Sequence, residues 1–389
     1  LFKSSQEILD SLGARLTTEE IKQQPGLWDE TYSFYQQKSE EIQTFLQKIT
    51  DMHSQIRVIF TGAGTSAYVG DTILPYLKEK LDEGKWDLQS VPTTTLVSNP
   101  YQYLKANIPT LLVSFARSGN SPESVAAVEL AQKIVTNFYQ LTITCAQDGE
   151  LAKRSDGNEN NYLLLMPEKA NDQGFAMTGS YSCMTLAALL IFDPLSIEEK
   201  MKMVKKLCLM GENVISMEDN IQKIVDTDFE RIIYLGAGSL EGLTREAQLK
   251  ILELTAGQVV TAFDSPLGFR HGPKSFVNER ALVFVFVSNH PYTRQYDLDI
   301  LNELKQDDIA NYICAIQVEG ETNYFGDGFM FGSEAQSIPD AYLALPYIMV
   351  GQTIALLSSI KVGNKPDTPS PTGTVNRVVK GVTIHKYCG

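Results

Sequence analysis

Arg57-Val58-Ile59-Phe60-Thr61-Gly62-Ala63-Gly64-Thr65 recurs as Arg231-Ile232-Ile233-Tyr234-Leu235-Gly236-Ala237-Gly238-Ser239, 174 residues further on. Each copy is a basic residue, a short apolar run and a Gly-x-Gly turn, the pattern of a buried strand entering a helix. The strands that follow also correspond, Thr110–Ala116 in the first copy and Ala281–Val287 in the second. Around them, apolar runs at Arg57–Phe60, Thr110–Phe115, Leu141–Cys145 and Tyr162–Met166 alternate with helical stretches. Continuous apolar strands separated by helices imply a parallel sheet covered on both faces. The chain therefore reads as two copies of one α/β unit joined by a helical stretch, Ile197–Ile224.

Outward from the repeat, the first fifty residues read as a helical arm. Thr17-Thr18-Glu19-Glu20 has capping-box form and Pro25 is expected to stop that helix. Trp28, Tyr32, Tyr35, Ile42, Leu46 and Ile49 then trace one apolar stripe of a longer helix. The expected division is an arm over 1–50, a first domain over 51–215 and a second over 216–389.

Composition narrows the partners. The 389 residues carry 33 Lys+Arg against 47 Asp+Glu, a net charge of −14, which repels a polyanionic duplex and argues against nucleic acid. The longest purely apolar runs, such as Leu282–Val287, are short for a membrane helix, so no membrane is expected. Residues Leu1 to Gln6 lead into no apolar segment of the secretory type. Cys145, Cys183, Cys208, Cys314 and Cys388 are scattered, form no CxxC and have no His at ligand spacing; a reducing cytoplasm and no metal are expected.

An anionic small molecule remains admissible if local donors make an exception to the charge. In an open parallel sheet ligands sit beyond the carboxyl ends of the strands. Two loops of the first copy belong there. Gly62-Ala63-Gly64-Thr65-Ser66 exposes backbone N–H groups, and Arg117-Ser118-Gly119-Asn120-Ser121 precedes Pro122, with Ser121 as N-cap and Pro122 opening a helix. Together they read as a phosphate cradle of Gly64, Thr65, Ser66, Arg117, Ser118, Gly119 and Ser121. The second copy reads Ser288-Asn289-His290-Pro291 at the matching place, so function is divided between the halves. Gly62, Gly64 and Ala67 also satisfy G-x-G-x-x-A, but a dinucleotide site wants an acid at the end of the second strand. The candidate second strand, Val91–Val97, has none, and no nucleotide cofactor is expected.

These two loops resemble those of the SIS (sugar isomerase) domain, whose members bind phosphosugars; Ala116 stands where a serine is usual. The double arrangement is similar to the isomerase part of glucosamine-6-phosphate synthase. With its helical start and its ending Thr374-Val-Asn-Arg-Val-Val-Lys-Gly-Val-Thr-Ile384, the chain resembles the AgaS group over roughly residues 5–385. That group is described as tagatose-6-phosphate ketose/aldose isomerase or galactosamine-6-phosphate deaminase. The resemblance implies two flavodoxin-like αβα domains with parallel sheets and a hexose or amino-hexose 6-phosphate substrate.

It also implies roles for particular residues. Glu253, in Leu249-Lys250-Ile251-Leu252-Glu253-Leu254, falls where the synthase carries its C1–C2 proton-transfer base, a carboxylate in an otherwise apolar turn. His271, in Phe269-Arg270-His271-Gly272-Pro273, falls where the family has its ring-opening histidine, 18 residues beyond Glu253 and slightly further than in the synthase. Lys380 falls on the synthase's near-C-terminal lysine, with Arg377 a rival cation, beyond a proline-rich loop at Gly363–Gly373. In the synthase that histidine comes from a neighbouring subunit, so a homo-oligomer with shared sites is implied. The expected activity is conversion of galactosamine 6-phosphate to tagatose 6-phosphate and ammonia. The alternatives are aldose–ketose isomerisation alone, or a phosphosugar sensor; the sensor is disfavoured because the first fifty residues hold no basic recognition helix.

Overall fold

The computed structural model describes all residues of the chain except Asp156, Lys380 and Gly389. Among the described residues, ten strands form two parallel five-stranded sheets. The first holds β1 (Ile56–Thr61), β2 (Trp86–Ser90), β3 (Thr110–Ala116), β4 (Phe138–Thr144) and β5 (Asn161–Leu165) in the order β2-β1-β3-β4-β5. The second holds β6 (Arg231–Gly236), β7 (Val260–Asp264), β8 (Ala281–Phe286), β9 (Tyr312–Val318) and β10 (Gly328–Phe331) in the order β10-β9-β8-β6-β7. Read from β7, the second order repeats the first. This is the flavodoxin-like 2-1-3-4-5 arrangement, and it departs from the dinucleotide order 3-2-1-4-5-6. Burial explains the composition of the central strands: every residue of β3 and of β8 is buried.

The chain separates into two units that are discontinuous in sequence. One comprises Leu27–Gln173, Gly179–Met201 and Gly373–Gly389 and contains the first sheet; the other comprises Leu1–Gly26, Gly174–Thr178 and Lys202–Thr372 and contains the second. The expected cuts at residues 50 and 215 do not follow this grouping, because the N-terminal helices are not a separate arm. Trp28, Tyr32, Tyr35, Ile42, Leu46 and Ile49 are all buried, as their spacing requires, and belong with the first sheet. Phe2, Ala14 and Ile21 instead pack with Leu356 in the second-sheet unit.

Two local expectations are corrected. Thr17 and Thr18 lie inside the helix Arg15–Lys22, whose N-cap is Ala14, with no hydroxyl to offer. Asp367 does the capping from 350 residues away, accepting from the Leu16 and Thr17 N–H groups at 3.0 and 2.8 Å. The helix Arg15–Lys22 does end ahead of Pro25, with Gln23 as its C-cap, and Pro25 lies in the first turn of the next, Gln24–Met52, where its missing N–H costs nothing. The second strand is Trp86–Ser90 rather than Val91–Val97, whose residues Thr93–Ser98 are helical. β2 is a half-buried edge strand with a weak apolar signal, and Pro92 starts a helix through β-branched residues that read as strand. Its one acid, Asp87, is tied to Arg57 at 2.7 Å.

The helix Asp340–Lys361 is long and apolar enough to cross a membrane by length and composition, against the expectation drawn from the purely apolar runs. Its apolar window is 94% buried within the second-sheet unit, the setting of a core helix.

Candidate active site

In the 2-1-3-4-5 order the strand sequence reverses between β1 and β3, so the loops leaving those strands border the crevice where ligands bind. Thr61 is registered opposite Ser114, which sets Gly62–Ser66 beside Arg117–Ser121. Gly64 has φ of +57°, a conformation a side chain would strain, and it delivers the chain into the helix Thr65–Lys80. A side chain on Gly62 would collide with the Ser66 backbone at 2.5 Å. Thr65 and Ser66 are buried in the first turn. Gly238, with φ of +58°, opens the helix Ser239–Leu254 in the same way in the second copy.

The second loop is pinned to the following connection: Leu151 N–H donates to the Gly119 carbonyl at 3.2 Å, and Glu150 N–H to Asn120 Oδ1 at 2.9 Å. Gly119 has φ of +66°, and Ser118 Oγ accepts from Asn120 N–H at 3.3 Å. Ser121 is the N-cap of Pro122–Ile134, yet its hydroxyl pairs with Ser124 Oγ at 2.6 Å and caps no N–H. Arg117 is buried and donates to the Arg377 carbonyl at 2.8 Å. The structure thus brings Gly64, Thr65, Ser66, Arg117, Ser118, Gly119 and Ser121 to one sheet switch point, with the N-termini of two helices behind them.

In the second-sheet unit Glu253 is not set in an apolar turn. Lys250, fully buried, reaches Glu253 Oε2 at 2.5 Å and Glu246 Oε1 at 3.3 Å. Burial alone would lower the Lys250 ammonium; the carboxylates of Glu246 and Glu253 outweigh it and hold the group above its ordinary value. Glu253 keeps about a fifth of its side chain exposed, whereas Glu246 keeps none. The Lys250–Glu246 pairing was readable in the sequence, since residues three and four apart share a helix face.

His271 is exposed on the turn between the short helix Pro266–Phe269 and the 3₁₀ turn Pro273–Phe276. Its N–H donates to the Gly268 carbonyl at 2.9 Å. Arg377 sends its guanidinium to the Asp172 carbonyl, with Nε at 3.0 Å, and to Asn171 Oδ1 at 3.3 Å, all within the first-sheet unit. Lys380 lies outside the described residues. Among the described residues no three His, Cys, Asp or Glu side chains are placed to hold a metal ion.

Comparison with known proteins bears on the chain as a whole. No family model matches the chain. It is 43% identical to the Escherichia coli D-galactosamine-6-phosphate deaminase AgaS over 383 residues, covering 95% of this chain and 96% of that protein. The crystal structure of the tagatose-6-phosphate ketose/aldose isomerase from Escherichia coli superposes with a TM-score of 0.87 at 40% identity, covering 96% of this chain and 97% of that one. A Clostridium novyi NT protein, provisionally named for the same isomerase, reaches a TM-score of 0.94 at 42% identity over 100% of this chain and 99% of its own.

Proposed function

The chain belongs to the AgaS family of sugar-phosphate deaminases and isomerases, and from that premise we propose that it converts galactosamine 6-phosphate to tagatose 6-phosphate and ammonia. The end-to-end likeness to the named deaminase carries this reading. The first-sheet loops hold the phosphate: Ser66, Ser118 and Ser121 hydroxyls, backbone N–H groups beyond Gly64 and Gly119, Thr65 in the first helical turn, and the Arg117 guanidinium. His271 opens the sugar ring by moving the O1 proton to O5 as the C1–O5 bond breaks and C1=O1 forms. Glu253 then takes the C2 proton, giving an enolamine, and returns it to C1 to leave a C2 imine. Water adds at C2, the C2–N bond breaks, and ammonia leaves from a ketose. Buried Lys250 supports this role by fixing the Glu253 carboxylate. The oxyanion that develops on O1 falls to Lys380, a reading supported by the engagement of the Arg377 guanidinium with Asp172 and Asn171.

The solved relatives named ketose/aldose isomerases favour a second reading, in which a neutral aldose 6-phosphate passes through an enediol on the same residues without loss of nitrogen. An assay of ammonia and ketose over a panel of 6-phosphorylated amino and neutral sugars separates the two. Ammonia from galactosamine 6-phosphate supports deamination; ketose from the neutral aldose phosphate alone overturns it.

The protein acts in the cytoplasm as a homo-oligomer that shares its sites. What supports the assembly is an exposed apolar surface: Val260 and Phe263 on the edge strand β7, and Leu267 four residues before His271. Mixing inactive Glu253→Gln and His271→Ala proteins through unfolding and reassembly should restore activity; no recovery would place both residues in one subunit.

A further inference from the structure

Residues 270–274 carry cations on either side of His271. Arg270 Nε meets Glu303 Oε2 at 2.6 Å, and Lys274 Nζ bonds to Glu303 Oε1. Lys274 also reaches Asp307 Oδ2 at 2.5 Å, one helical turn further along Pro291–Asp307. One carboxylate thus spans the loop, with a second behind it on the same helix face.

The surroundings show what that bridge controls. Among the described residues the His271 imidazole has no hydrogen-bond partner, so its direction is set by the backbone beneath it. Gly272, with φ of +127°, has open space where a side chain would project, and its carbonyl accepts from the Ser275 N–H at 3.0 Å and the Ser275 hydroxyl at 2.8 Å, so the turn is held locally while no side chain packs over it. Phe269 and Phe276 anchor the loop's ends in the core around Leu301 and Leu304, the latter beside Glu303. Exposed ion pairs contribute little to stability, roughly 0–1 kcal/mol, so a bridge at this position matters more for placement than for folding.

We propose that Glu303 is a positioning residue for ring opening, its carboxylate clamping the His271 loop through Arg270 on one side and Lys274 on the other. The proposal rests on His271 as the ring-opening residue. Displacing a reacting group by about 1 Å can cost on the order of a hundredfold in rate. The two donations, first from Lys274 and then from Arg270, hold the Glu303 carboxyl below its ordinary value, so the bridge stays charged at neutral pH.

The test is a mutant cycle on the full chain with galactosamine 6-phosphate, reading kcat and KM separately. Glu303→Gln should lower kcat about ten- to a hundredfold with KM changed less than about twofold. Added to His271→Ala, it should change the residual rate by less than about twofold, because its effect passes through His271. Losses that multiply in the double variant would overturn the proposal in favour of a general structural role. A wild-type rate in Glu303→Gln beside an inactive His271→Ala would overturn the proposal alone. Full turnover in His271→Ala would remove the ring-opening assignment and the proposal with it. If Glu303→Gln unfolds early, Arg270→Gln, which leaves Lys274 paired with Asp307, is read by the same cycle.

Discussion

The two copies enter their first helix through the same backbone, Gly64 and Gly238 at φ of +57° and +58°, yet the crevices beyond diverge in charge and packing. In the first copy the helix brings Ser66 and the neighbouring loop brings Arg117, Ser118 and Ser121. In the second, Leu240 replaces the serine and is fully buried. The loop after β8 is closed by acids: Ser288 N–H donates to Asp297 at 2.8 Å, and Asn289 N–H to Asp340 at 2.8 Å. Carboxylates there claim the backbone donors that an anion would need. The charges to which the proposed chemistry is assigned lie further along the helix, with Glu246 and Lys250 buried and Glu253 partly exposed. On the proposed reading, a shared scaffold separates gripping an anion from moving a proton.

The sharpest way to break this contrast is Glu253→Gln, which should cut turnover about a thousandfold, the usual scale for a lost acid–base group, in an ammonia-release assay. Next comes Leu240→Ala, which should destabilise the protein by about 3 kcal/mol in denaturant titration, as a filled core position does. Its counterpart Ser66→Ala should lie within about 1 kcal/mol of wild type in the same titration while raising KM roughly tenfold. Equal stability losses at both positions would erase the distinction between packing and binding.

The smallest effect concerns pH. Burial pushes the Asp297 carboxyl up to about 7, opposed by the Ser288 N–H and reinforced by Asp340, with Arg294 opposing. Its folded value lies above its unfolded one, so the native state holds the extra proton between about pH 4 and 7. Stability from this group is present at low pH and falls as pH rises through that window. Asp297→Asn should therefore gain on wild type by about 1 kcal/mol between pH 5 and pH 8, measured by thermal unfolding. Asp340, Arg294, Tyr347 and His290 surround the same site, and the difference between variant and wild type isolates Asp297.

Much of this was legible in the residues. The repeat at 57 and 231 marks both first strands, and the Gly/Ser loops after β1 and β3 are legible because strand ends and glycine turns are local features. β2 is poorly legible because an edge strand buries little and carries a weak pattern. Asp367 at the N-terminal end of Arg15–Lys22 and Glu303 across the His271 loop are not legible for another reason. Both act on residues distant in sequence, and a carboxylate's spacing along its own chain says nothing about which cation or helix end it will meet.

The central claim is that grip and chemistry reside on different copies. Titration calorimetry of galactosamine 6-phosphate into Glu253→Gln tests it most directly. The account predicts binding within about twofold of the wild-type KM, with no ammonia released during the titration. Loss of binding, or ammonia released at the wild-type rate, would contradict it.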